Sequence, residues 1–173
     1  LTNHYTCRDP GPTNTRISLH PWRRIYTLNI DNCYETAFKK FIKEREFEEY
    51  NFEIKNYVDD FSDISADVIS SIIHLHGAIE RSSDGYVFSH TEYARMLART
   101  SSWMSTLSQL IRTEPFVIMG TSLDEIDVTF YLEQRTKRNL RTDSPPSFLV
   151  EPYPNKLTEK LCEQHGFYLY KGT

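Results

Sequence analysis

The chain has 173 residues, 39% apolar and 25% charged, with a formal net charge of −4. That is enough to bury a real core, and the balance is too acidic for a surface that grips phosphate backbones through clustered Lys and Arg. Cys7, Cys33 and Cys162 lie far apart with no Cys-x-x-Cys pair, which excludes a zinc ribbon of the usual spacing. Their odd number and the lack of a signal peptide fit a reducing cytoplasm. No apolar run approaches the 18 or so residues of a membrane span, and a start at Leu1 rather than Met points to a fragment or a processed product.

Residues 1–21 are polar and rich in turn formers (Asp9-Pro-Gly-Pro12, Asn14, Pro21), and they read as irregular loop. Arg24-Ile-Tyr-Thr-Leu28 is the first predicted strand, closed by Asn29 to Asn32. Asp31 or Asn32 would cap a helix running to about Tyr50. Its apolar positions Tyr34, Ala37, Phe38, Phe41 and Ile42 share one face, and the charged tail from Lys43 to Glu49 reads as an exposed helix end. Phe52-Glu-Ile54 and Asn56-Tyr-Val58 are short strand pieces. The β-branched run from Val68 to Leu75 predicts a buried strand that ends at His76-Gly77. Asp84-Gly85 marks a turn. The span Thr91 to Arg112 is helical, with Tyr93, Met96, Leu97, Trp103, Met104, Leu107 and Leu110 as core positions.

Further along, Pro115-Phe-Val-Ile-Met119 predicts a strand, Ile126 to about Lys137 a helix, Ser147 to Val150 a strand, Leu157 to Gln164 a helix closed by Gly166, and Phe167 to Tyr170 a last strand. The basic stretch Arg135-Thr-Lys-Arg-Asn-Leu-Arg141 reads as a solvated helix end. Strand–helix alternation over residues 115–170 calls for a parallel sheet with right-handed crossovers. The predicted class is α/β, a Rossmann-like and mainly parallel sheet with helices on both faces, forming one domain over residues 1–173.

Three segments place polar groups at the carboxyl ends of predicted strands, where parallel sheets bind ligands: Tyr26-Thr-Leu-Asn-Ile-Asp31, His74-Leu-His-Gly77 and Gly120-Thr-Ser-Leu-Asp124. Each has a bland reading. Asn29 alone would be a turn residue, and Asp124 serves equally well as a helix cap. His74 and His76 stand close together at the end of their predicted strand, and one of them is expected to be a satisfied core histidine. We assign the site to His76, which precedes Gly77 at the strand end. His4, His20, His90 and His165 read as structural or surface residues, and Cys33, without a paired base, as packing.

The three segments together resemble the NAD-binding domain of the sirtuin superfamily, and most closely the bacterial sirtuin-like domains of antiphage defence systems. Thr27-Leu-Asn29-Ile-Asp31 matches the family's Thr-x-Asn-x-Asp, His76-Gly77 its His-Gly, and Gly120-Thr-Ser122-Leu-Asp124 its Gly-x-Ser-Leu with a nearby Asp. Tyr93 falls where such domains often carry an aromatic. The likeness runs from about Trp22 to the C-terminus. Two features depart from the family pattern. No Gly-Ala-Gly loop for the pyrophosphate precedes Trp22, so the fold is expected to lack its N-terminal Gly-rich unit and the fragment alone to be inactive or very weak. The four-cysteine zinc module of the deacylases is also missing, and no metal is expected.

The resemblance implies cleavage of the bond between ribose C1′ and the nicotinamide nitrogen, with NAD as substrate. Nicotinamide already leaves from a cationic nitrogen, so the site needs to stabilise an oxocarbenium-like ribose and place a water. Asn29 would hold the ribose or that water, and His76 would accept a proton, its ordinary pKa of about 6.5 suiting a base at neutral pH. Asp31 would face the carboxamide, with Thr27 beside it in the motif. Gly120, Thr121 and Ser122 would take phosphate or ribose, with Asp124 and Glu151 as weaker ribose ligands. The expected function is an NAD+ glycohydrolase acting in antiphage defence, partnered by a second copy or by a sensor domain and by neither nucleic acid nor membrane. The alternatives are a catalytically silent nucleotide-binding or oligomerisation module and an NAD-dependent protein deacylase.

Overall fold

A computed structural model describes residues 2–45, 52–60, 70–98, 102–121, 123, 126–136 and 145–172. The chain divides into two compact units, Leu1–Trp103 and Met104–Thr173. Each contains a three-stranded sheet, and every strand pair is parallel. The class is therefore α/β and Rossmann-like, as the sequence predicts. No described helix is long and apolar enough to cross a membrane.

In the first unit, α1 (Thr2–Tyr5) and α2 (Gly11–Ser18) replace the loop expected over residues 1–21. The turn formers work at the helix start. Pro12 sits in the first turn of α2, where its missing N–H would have had no partner. Asp9 Oδ1 accepts from Gly11 N at 3.2 Å, and the Asn14 and Thr15 side chains donate back to the carbonyls of Pro10 and Gly11. The Asp9 bond meets one of the unpartnered N–H groups of the helix start, while Asn14 and Thr15 bond back to carbonyls four residues earlier.

β1 (Arg24–Thr27), β2 (Phe52–Asn56) and β3 (Ser70–His74) form a sheet in the order β1-β3-β2. β3 is central and buried along its whole length, which is why it reads as a β-branched run without alternation. Its last residue, His74, pairs in register with Thr27 on one side and Asn56 on the other. Helix α3 (Cys33–Arg45) follows β1 and buries Ala37 and Phe38 completely. The expected continuation of α3 to Tyr50 and the first residues of the predicted third strand, Val68 and Ile69, lie outside the described residues. A 3-10 helix, Ile79–Asp84, and α4 (His90–Ala98) come after β3.

The second unit starts within α5 (Ser102–Thr113); α4 and α5 fall on the span read as helical from Thr91 to Arg112, with residues 99–101 outside the described residues. β4 (Val117–Met119), β5 (Ser147–Val150) and β6 (Phe167–Tyr170) pair in that order. Between them run α6 (Ile126–Thr136) and α7 (Lys156–His165). α7 is closed at both ends as its sequence demands. Asn155 Oδ1 accepts from Thr158 N at 2.9 Å, and Gly166 takes the left-handed conformation at φ 70°.

Arg135 corrects the reading of a solvated basic helix end. Its residue is 3% exposed, and its guanidinium donates to the carbonyls of His165 (2.9 Å), Ile111 (2.7 Å) and Pro145 (3.1 Å) and to Ser147 Oγ (3.1 Å). It also lies 4.8 Å from the centre of the Phe167 ring. Ile111 and His165 are in the last turns of α5 and α7, where carbonyls lack helical partners and the dipole favours a cation. Burial pulls the Arg135 pKa down. Lys137 to Arg141, the rest of that stretch, lie outside the described residues.

Candidate functional site

The first unit brings four of the expected residues to one end of its sheet. Thr27 ends β1, Asn29 and Asp31 follow it, and His76 lies two residues beyond the end of the neighbouring β3. Because Thr27 is the register partner of His74, Asn29 and His76 leave adjacent parallel strands at the same level. This is the carboxyl edge of the sheet, where the strand carbonyls end and loops can converge on a ligand.

The loop after β1 is tied in place by its own sequence. Thr27, 7% exposed, accepts through Oγ1 from Asn29 N at 3.1 Å. Asp31 Oδ1 accepts from Cys33 N at 3.0 Å, which starts α3 as predicted. Asn32 does other work, accepting from Cys7 N at 2.7 Å and donating to Glu80 Oε1 at 3.0 Å. Asn29 itself is exposed, and among the described residues no hydrogen bond engages its side-chain amide. It presents a donor NH2 and an acceptor carbonyl outward.

The loops after β1 and β3 are stitched together beyond the sheet. Leu75 N donates to Thr27 O at 2.9 Å, and Ile79 N donates to Ile30 O at 2.8 Å. Between these two bonds, His74 Nδ1 is 2.9 Å from the carbonyl oxygen of Asn29. His74 is the satisfied core histidine expected of the pair. It is 1% exposed, and its Nε2 meets Glu35 Oε1 of α3 at 2.5 Å. Burial pushes the His74 pKa down, but the Glu35 hydrogen bond and charge, the Asn29 carbonyl and Asp31 outweigh it, leaving the pKa above the ordinary 6.5.

His76 is half-buried, and its ring stands edge-on to Tyr93 at 6.3 Å between centroids. Tyr93, 7% exposed on α4, is thus both a core residue and the wall that orients the imidazole. Gly77 has φ 100°, and a Cβ there would lie 2.6 Å from the carbonyl oxygen of Gly85. Only glycine admits this fold-back, which Val87 N completes by donating to His76 O at 3.0 Å. At the third strand end, Arg81 pairs with Asp59, by both guanidinium nitrogens, and with Asp84 at 2.7 Å. Asn56 Nδ2 donates to Asp84 at 3.1 Å. This network anchors the 3-10 helix to β2.

Cys33 behaves as packing. Burial pushes its thiol well up, with Cys7 and Asp31 adding to the effect, so it carries no thiolate at neutral pH. Among the described residues no group of three or more His, Cys, Asp or Glu could hold a metal ion.

In the second unit, Gly120 and Thr121 follow β4 and Glu151 follows β5, again at carboxyl strand ends. Gly120 has φ 72°, with nothing within 4 Å of a Cβ built on it. Glu151 N donates to Tyr170 O at 3.0 Å, and Glu151 Oε1 receives a long bond of 3.5 Å from Tyr153 N. Ser122 and Asp124 lie outside the described residues.

Sequence reasoning missed Glu35. The signal was present, since Glu35 is three and seven positions from Phe38 and Ile42 and therefore falls within the apolar stripe of α3. A carboxylate there is 1% exposed and needs an interior partner.

A family model described as a SIR2-like domain matches residues 23–170. No curated protein matches the chain in sequence.

Proposed function

Since the chain belongs to the SIR2-like domain family, which includes NAD-dependent enzymes, we propose that it is an NAD+ glycohydrolase that cleaves the bond between ribose C1′ and the nicotinamide nitrogen. The observation that carries this reading is the exposed Asn29 amide, held at the end of β1 beside the strand that delivers His76. The residues fit the substrate. Asn29 offers a donor and an acceptor to a ribose hydroxyl or the attacking water. His76 accepts the proton that the water or hydroxyl gives up, and Asp31 accepts from the nicotinamide amide.

The wall formed by Tyr93 supports the imidazole from one side and excludes solvent there. By their motif, Gly120, Thr121 and Ser122 are the proposed ligands of phosphate or ribose, with Asp124 and Glu151 as weaker ribose ligands. A role in antiphage defence by depletion of NAD follows from the likeness of the three motifs to bacterial sirtuin-like domains.

The test is nicotinamide release from NAD+ by the complete parent protein and by its Asn29→Ala and His76→Ala variants. Each variant should lose about 100-fold or more, the scale of a lost acid–base or orienting group. Turnover unchanged in both ends the assignment. Tight NAD+ binding in calorimetry with no nicotinamide released would instead identify a silent binding module, and release of acetyl groups from an acetylated peptide a deacylase.

A further inference from the structure

The buried Glu35–His74 pair has no part in the chemistry proposed above, yet it touches the site at one atom. His74 is the hydrogen-bond partner of the Glu35 carboxylate, and the other ring nitrogen reaches the carbonyl oxygen of Asn29. From this geometry we infer that Glu35 and His74 are positioning residues which clamp the Asn29 backbone, and that the clamp is held by one ionisable proton. The inference rests on the reading of Asn29 as a ligand-facing residue.

The argument is one of donor counting. A backbone carbonyl only accepts, so the bond to Asn29 requires a hydrogen on His74 Nδ1. At 2.5 Å, Nε2 and Glu35 Oε1 also need a hydrogen between them. Both bonds exist together only while the pair keeps that second proton. When it is lost, one hydrogen remains on the ring. It stays at Nε2, because a carboxylate is the stronger acceptor, and Nδ1 then turns a lone pair to the Asn29 carbonyl. The clamp opens. Two neighbouring bonds, Leu75 N to Thr27 O and Ile79 N to Ile30 O, hold the rest of the stitch, so the release is confined to Asn29.

The surroundings favour the closed form. From α3 and its start, Glu35 and Asp31 are the charged groups acting on His74, and both favour the protonated ring. Its register partners Thr27 and Asn56, on β1 and β2, are neutral. The opening therefore falls above the ordinary histidine value of 6.5.

Glu35→Gln separates this device from plain packing. The glutamine amide has the shape of the carboxylate, and its NH2 donates to Nε2. A neutral ring then keeps its single hydrogen on Nδ1, and the clamp no longer depends on pH. Labelled wild-type and variant chains are titrated from pH 5.5 to 9.5, following the ring nitrogens of His74, the Asn29 carbonyl carbon and the Ile30 amide by NMR. In the wild type the Asn29 and Ile30 signals should move in step with His74; in Glu35→Gln they should stay flat. Asn29 signals that hold constant while His74 titrates, or that titrate alike in both proteins, overturn the inference.

Nicotinamide release gives a second readout. Wild-type kcat should show an alkaline fall, at pH values where circular dichroism reports a folded chain, and Glu35→Gln should lack it. Glu35→Leu should lose about 10- to 100-fold, mainly in kcat, and Glu35→Gln should recover most of that loss at pH 7. If the complete parent protein releases no nicotinamide, the glycohydrolase reading falls while the NMR titration still decides this one.

Discussion

Thr27 stands opposite His74 in the parallel register of β1 and β3, and its hydroxyl accepts from Asn29 N two residues on. One side chain thus ends the strand and shapes the turn that presents Asn29. Thr27→Val keeps the shape and removes the acceptor. The expected cost is about 1 kcal/mol of stability and about a tenfold fall in kcat for nicotinamide release, with KM little changed. Thr27→Ser, which keeps the hydroxyl, should hold most of both. Urea denaturation and steady-state kinetics measure the two effects, and a full kcat in Thr27→Val would show that the turn stands without this bond.

The Glu35–His74 pair also makes stability depend on pH, in a direction its environment sets. The folded pKa of His74 lies above its ordinary 6.5. The pair's contribution is therefore complete below about pH 6.5 and fades as pH rises through the folded value. Glu35→Ala leaves a buried imidazole without its acceptor and should cost about 3 kcal/mol at pH 6. The gap between wild type and variant should narrow by pH 9. Urea midpoints at the two pH values test it, and a gap that widens with pH would reverse the assigned protonation.

Gly77 and Gly120 both have positive φ, yet they should respond differently to a methyl group. At Gly77 the added Cβ meets the Gly85 carbonyl at 2.6 Å and the Tyr86 ring at 3.0 Å, whereas at Gly120 it meets nothing within 4 Å. Gly120→Ala should cost about 1 kcal/mol, the price of the left-handed backbone alone. Gly77→Ala should cost about 3 kcal/mol and displace His76, because strain and a backbone clash add. Thermal melts of the two variants give the ranking. Equal losses would mean that the turn at Gly77 relaxes freely.

The parts of the fold written in local pattern were readable in the sequence. β5 and β6 run over the predicted residues, and α7 closes at Gly166, because short β-branched or aromatic runs and a terminal glycine act within a few positions of themselves. The placement of Asn29 and His76 just past strand ends was legible for the same reason, since each follows a short apolar run. Residues 1–21 misled because Pro, Asn and Asp favour a helix start as much as a loop, and only the following turn of α2 decides between them. Glu35 and Arg135 were hidden by the long range of their partners. Glu35 waits for a histidine 39 positions away, and Arg135 for carbonyls 24 and 30 positions away. Nothing local separates such charges from solvated ones.

Arg135 yields the sharpest test of that long-range logic. The described residues give it no carboxylate; its charge is met by carbonyl oxygens of Ile111, Pro145 and His165, the Ser147 hydroxyl and the Phe167 ring. Replacing it with Met fills the space but orphans several buried acceptors at once, a loss of about 3–4 kcal/mol. Arg135→Lys restores the charge without the planar fork, so one ammonium cannot reach groups spread around the guanidinium plane. It should recover under half of that loss. Urea denaturation, followed by tryptophan fluorescence and circular dichroism together, measures both variants. A change under about 0.5 kcal/mol in Arg135→Met would place Arg135 among ordinary surface residues and restore the reading of a solvated helix end.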